Sequence, residues 1–159
     1  RLKGLTPTPL AYREIYYMGA LRQSYYACQL FPGAHTFNEL IGNPTFPHRD
    51  AILQSIGRMI AKLHRLGAYH ADLSGGNILF NEDGSRVMVI DLNRIHWREH
   101  LSQQIRWKNF ERLNIDRKAL AVMVAAYTED TKDSYEVALD YVLTHRWRKH
   151  VRQHITHLD

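Results

Sequence analysis

Two short stretches of this chain carry side chains that could do chemistry together. The first is Tyr69-His70-Ala71-Asp72-Leu73-Ser74-Gly75-Gly76-Asn77-Ile78-Leu79-Phe80, in which Asn77 follows Asp72 by five residues. The second is Val89-Ile90-Asp91-Leu92-Asn93, whose carboxylate comes fourteen residues after Asn77. Between them lie an apolar strand, a polar turn at Asn81-Glu82-Asp83-Gly84 and a second apolar strand over Val87 to Ile90. A hairpin of that kind gathers two carboxylates and one amide oxygen at the same end. Phosphoryl transfer needs such a set: a base for the attacking hydroxyl, and hard oxygen ligands for a magnesium ion on the phosphates. As plain structure, the same residues would only cap and turn a loop.

The elements that must hold these loops follow from periodicity. Ile52, Leu53, Ile56, Met59, Ile60 and Leu63 recur at helical spacing and predict a helix from His48 or Arg49 to Leu66. Asp50 suits its first turn, His64 and Arg65 its last, and Gly67 its end. This stripe reads as core, and its function is to fix the loop that begins at His70. Upstream, Arg1 to Gly4 reads as the end of a helix, and Thr6-Pro7-Thr8-Pro9 as stiff extended chain. Tyr- and Ile-rich strands are expected over Ala11 to Met18 and Ser24 to Leu30, joined through Gly19-Ala20-Leu21-Arg22. A short helix is expected over Thr36 to Ile41. Downstream, Asn109 to Tyr127 reads as mainly helical, with Ile115, Ala119, Leu120, Val122, Met123 and Ala126 inward. A last helix runs from about Asp133 past His150, using Val137, Leu139, Tyr141, Val142 and Leu143.

The pattern H-x-D-x-x-x-x-N followed by a strand pair and a second Asp resembles the catalytic and metal-binding loops of the protein-kinase-like fold. The wording HADLSGGNILF, with IDLNR in place of D-F-G, is most similar to the bacterial lipopolysaccharide kinase family, which phosphorylates Kdo or heptose of the lipopolysaccharide inner core. The resemblance implies an α+β, protein-kinase-like fold, mainly its helical C-terminal lobe with the last strands of the small lobe. It divides the chain into a partial small lobe and hinge over residues 1–33 and a helical lobe over 34–159. It makes Asp72 the base, His70 a brace for the loop, and Asn77 and Asp91 the ligands of Mg2+. ATP would lie against the backbone of the hinge around Gln29 and Phe31, with Leu79 as floor and Ile90 as back of the adenine pocket. The glycines Gly75 and Gly76 would let the loop curve and leave room near the phosphates.

Two departures from the protein-kinase pattern bear on the acceptor. Ala71 stands where an arginine reads a phosphorylated activation segment, and Ser74 stands where protein kinases carry a lysine. No A-P-E follows. The implied acceptor is therefore a sugar or glycolipid hydroxyl. An aminoglycoside- or choline-kinase-like enzyme stays open, as does a non-catalytic module derived from a kinase. No glycine-rich loop and no V-A-I-K-like strand precede these motifs, so the phosphate-clamping half of the small lobe is expected upstream of Arg1. The present residues alone are expected to be inactive.

Composition agrees with a folded domain: 159 residues, 45% hydrophobic and 23% charged. A net charge of +5 favours anionic partners, among which the resemblance selects nucleotide and glycolipid over nucleic acid. Its implied place of action is cytoplasmic, with peripheral contact at the inner membrane left open. The basic cluster Arg146-Trp147-Arg148-Lys149-His150 with Arg152 reads as a solvated helix end or a contact for phosphorylated lipid. The lone Cys28 permits no internal disulfide and suits a reducing compartment. His96 and His100, like His150 and His154, are spaced to share a helix face, but zinc would need further ligands, and the histidines read as surface residues.

Overall fold

The computed structural model describes the backbone of residues 2–155 and the side chains of residues 2–146. In chain order the strands are β1 (Pro9–Tyr17), β2 (Ala20–Cys28), β3 (His35–Thr36), β4 (Ala68–His70), β5 (Ile78–Phe80), β6 (Val87–Val89) and β7 (Ile95–Trp97). The helices are α1 (Phe37–Gly42), α2 (Arg49–Arg65), α3 (Gln103–Glu111), α4 (Arg117–Thr131) and α5 (Tyr135–Ile155). Strands pair antiparallel in three small sheets: β1 with β2, β3 with β5 and β6, and β4 with β7.

The centre of the molecule is α2, whose predicted stripe is buried throughout, from Ile52 to Leu63. Its main packing partner is α4, and the two come so close that a Cβ on Gly57 would collide with the Met123 carbonyl oxygen. Gly67 ends the helix at φ +75°, the left-handed stop that its position predicts. The short helix α1 is held by a capping box, Thr36 accepting from the Glu39 N–H while the Glu39 carboxylate accepts from the Thr36 N–H.

Several expectations are corrected. From Leu2 onward no helix end is formed: Lys3 and Thr6 make a β-bridge around Gly4, and the Val89 N–H donates to the Leu5 carbonyl. The β1–β2 turn is only Met18-Gly19, both at positive φ, so Leu21 and Arg22 belong to the strand. The helical stretch expected from Asn109 to Tyr127 is two helices, broken where Asp116 caps α4 by accepting from the Ala119 N–H. Val137 is exposed, the inner face of α5 being carried by Ala138 and Val142. His96 lies on β7 and not on a helix, so it shares no helical face with His100. The pair His150 and His154, and the cluster's side chains beyond Arg146, lie outside the described side chains. Arg146 itself is half-buried and donates to the Ile115 carbonyl.

Candidate active site

The chain leaves α2 through Gly67, runs along β4 and turns at Asp72. A single 3₁₀ turn, Gly75–Asn77, then feeds β5. Gly75 is required by packing: its position lies against Asn38 of α1, and a Cβ there would meet Asn38 Oδ1. Gly76, by contrast, is exposed and nearly uncrowded.

His70 is buried and its ring joins both loops. Nδ1 accepts from the Asp72 N–H at 3.2 Å, so Nε2 carries the proton and donates to the Ile90 carbonyl at 3.0 Å. Asn77 Nδ2 donates to the Asp72 carbonyl at 2.9 Å, and the Ile90 N–H donates to the Asn77 carbonyl at 3.0 Å. On the far side of Asp91, the Ala71 N–H donates to the Arg94 carbonyl, and β7 then pairs back onto β4. The residues on either side of Asp91 are thus tied to the His70–Asn77 loop. Asp91 itself is exposed and sits at φ 58°, a left-handed conformation rare outside glycine, asparagine and aspartate. Strain of that kind persists where surrounding bonds over-determine it, as they do here.

The donor set suits a hard cation of one particular kind. Asn77 uses its amide nitrogen on the backbone, which leaves the oxygen for another partner, and Asp91 offers an exposed carboxylate. Among the described residues no three His, Cys, Asp or Glu side chains cluster as a cage. Two oxygen ligands fit Mg2+, which keeps waters and takes its remaining ligands from phosphates.

The residues suggested for nucleotide contact are spread along one side. Leu79 and Ile90 are partly exposed, and Leu79 pairs with Met88 on the face of β5–β6 opposite the fully buried Ile78 and Phe80. Phe31 is buried beneath the Arg86 guanidinium, 5.0 Å from its ring centre. The Gln29 side chain is exposed, and its N–H already donates to the Thr8 carbonyl at 2.8 Å. An open cleft lined by Lys3, Pro7, Tyr26, Leu92 and Trp97 borders the residue after Asp91, but Asp72, Asn77 and Asp91 do not line it.

Beneath the loop lies a polar chain that the sequence reading did not include. Asn109 of α3 donates to the His70 carbonyl at 2.7 Å and accepts from His64 Nε2 at 2.9 Å. His64 Nδ1 accepts from the Tyr127 hydroxyl at 3.0 Å, which accepts in turn from Arg106, and Arg106 pairs with Asp133 at 2.9 Å. Burial pushes the His64 imidazole down to about 4, so it is the neutral ring that one donated and one accepted bond require. This corrects the reading of His64, which is neither a cation at the end of α2 nor a surface residue. The signal was present, because His64 follows Ile60 by four and therefore shares the apolar face. Arg112 had no such signal. It follows α3 and its guanidinium lies 2.9 Å from Asp72 Oδ1, both side chains being about half exposed. An ion pair so open to solvent contributes at most about 1 kcal/mol.

Comparison with known proteins agrees with this geometry. A model of the lipopolysaccharide kinase (Kdo/WaaP) family matches residues 7–134. The 3-deoxy-D-manno-octulosonic acid kinase of Vibrio parahaemolyticus serotype O3:K6 is 32% identical over 109 residues, 67% of this chain and 42% of that protein. The corresponding kinase of Xanthomonas campestris pv. campestris is 30% identical over 135 residues, 85% of this chain and 52% of that one. The chain therefore spans about half the length of these curated relatives. A solved structure of WaaP in complex with acyl carrier protein superposes with a TM-score of 0.68 at 22% identity, covering 91% of this chain and 67% of that one, which supports the protein-kinase-like fold. With the family model covering most of its length, the chain belongs to the lipopolysaccharide kinase (Kdo/WaaP) family.

Proposed function

We propose that this chain carries the transfer loops of an ATP-dependent kinase whose acceptor is a sugar hydroxyl, Kdo or heptose of the lipopolysaccharide inner core. One observation supports it above the others: His70, Asp72, Asn77 and Ile90 form one hydrogen-bonded frame that brings both acidic loops to the same end of β5–β6. Asp72 orients the acceptor hydroxyl and receives its proton. The hydroxyl oxygen forms a bond to the γ-phosphorus of ATP while the bond from that phosphorus to the β,γ-bridging oxygen breaks, and ADP leaves. Asn77 and Asp91 would hold Mg2+, which offsets the negative charge of the phosphates. Residues 1–33 contribute small-lobe strands and the hinge, and residues 34–159 the helical lobe. Leu79 and Ile90 flank the nucleotide, and Gln29 and Phe31 mark the hinge. Kdo is favoured among acceptors because the relatives' names specify it. That acceptor places the reaction at the cytoplasmic face of the inner membrane. The contact proposed there is peripheral; no helix among the described residues is long and apolar enough to cross a membrane.

The experiment incubates the full-length protein with labelled ATP and compares Kdo-lipid A, a heptose-bearing core, an aminoglycoside, choline and a generic protein. Label on Kdo-lipid A or the heptose core is the expected result. Label on the aminoglycoside or choline alone would overturn the acceptor class, and label on protein alone would overturn the sugar reading.

A further inference from the structure

The cation beside Asp72 does not come from the Asp72 loop, where Ser74 is uncharged, but from the end of α3. The backbone at Arg112 is fixed on both sides: Phe110 and Leu113 are fully buried, and Asn109 is bonded to the His70 carbonyl. Its head group, by contrast, is half in solvent. Only one of its N–H groups is engaged on Asp72, leaving the rest of a planar five-donor fork available. Asp72 is likewise held through Oδ1 alone, so Oδ2 is available for an acceptor hydroxyl. A molecule that brings a hydroxyl to Asp72 therefore comes within reach of a guanidinium able to bind a second group. The partner matching that fork is a carboxylate, which a guanidinium binds through two parallel hydrogen bonds. The helix α3 packs on β4, the strand leading into the loop. Next to it in the chain is Glu111, whose Oε1 is buried without a hydrogen-bond partner; Tyr69 and Tyr141 have raised proton affinity, first through burial and then through the negative charge of Glu111, which the Arg112 charge opposes at Tyr69. An acidic acceptor would be repelled there, and Arg112 is the positive charge that counters this.

We infer that Arg112 is a specificity residue that reads the carboxylate of a sugar-acid acceptor while Asp72 engages its hydroxyl. This rests on the proposed function and narrows it, because a sugar acid satisfies both groups and a neutral sugar only one. The covalent step is unchanged, and Arg112 neither gives nor takes a proton.

The test uses the full-length protein and two soluble acceptors with identical hydroxyls, the methyl glycoside of Kdo and the methyl ester of that glycoside. The wild type should prefer the acid in kcat/KM by about tenfold or more, the scale of one charge-assisted hydrogen bond. In Arg112→Gln the acid-to-ester ratio should fall to within about threefold of one, and Arg112→Lys should keep part of the preference. The Arg112 head group is solvent-facing, so each variant should melt with the wild type. An Arg112→Gln variant that lowers both rates alike, keeping the ratio, would overturn the inference and make Arg112 a brace for Asp72 or a contact to the transferred phosphate. A wild-type ratio near one would also overturn it while leaving the proposed kinase standing. Transfer from the wild type to neither acceptor would overturn the proposed function itself, and the inference with it.

Discussion

The β1–β2 hairpin and helix α2 are both rich in large apolar side chains, yet they are treated oppositely. In α2 nine of seventeen residues are buried, and Ile52, Leu53, Ile56 and Ile60 are completely enclosed. In the hairpin no residue is buried, and Tyr12, Leu10 and Tyr16 are 79%, 67% and 58% exposed. Helix α2 packs against α4, β4 and β6, whereas the hairpin strands among the described residues pack chiefly on each other. Two strands alone are marginal in water, because cross-strand pairs add little without a second layer. Apolar content therefore says that a segment can be buried, and its neighbours decide whether it is. The frame of the proposed site depends on the first region. His70 and Asp72 hang from α2 and α3, and the hairpin contributes none of the bonds that join them to Ile90.

That contrast can be broken from either side. The largest effect should come from Ile56→Ala, which removes a fully enclosed side chain from the α2–α4 contact and should cost about 2–5 kcal/mol in denaturant unfolding. A loss below 1 kcal/mol would mean that the contact is far looser than described.

Next in size is a pH effect. His64 has an unfolded value near 6.5 and a folded value of about 4, so between those limits the unfolded chain binds more protons and stability rises with pH. Stability from this group is complete above pH 6.5 and should fall by about 3 kcal/mol as pH drops to 4. A His64→Gln variant should show a flatter slope in that window. An unchanged slope would assign the pH dependence to other groups.

Asn109→Leu keeps the volume but leaves the His70 carbonyl and His64 Nε2–H without partners, which should cost about 1–3 kcal/mol. Turnover should fall further than the affinity for ATP, because the fault lies under the loop. Equal losses in both would place Asn109 outside the positioning chain.

The smallest effect should come from Tyr12→Thr in the hairpin, within about 0.5 kcal/mol of the parent by the same unfolding measurement. A loss comparable to Ile56→Ala would show that the exposed face is covered in solution.

What was legible in the sequence follows the same division. The α2 stripe, its glycine stop and the β5–β6 hairpin are set by residues close in the chain, and each stands where its spacing predicts. The break at Asp116 was hidden because Ile115 and Ala119 continue a plausible helical spacing across it. The pairing of β3 with β5 and of β7 with β4 depends on partners at long range. Asn109, Tyr127 and Arg112 meet His70, His64 and Asp72 only after α3 and α4 have packed, across 39, 63 and 40 positions of sequence. No local pattern marks such residues, although a histidine on the apolar face of α2 was a visible request for buried partners.

The central claim is that Asp72 serves as the base within a frame built by the helical body. Its most direct measurement compares Asp72→Asn with the wild type in the full-length protein, reading phosphate transfer to the sugar acceptor and nucleotide binding on the same preparations. The account predicts that transfer falls by about 10²–10⁴ while nucleotide affinity stays within a few-fold. Turnover within a few-fold of the wild type would contradict it.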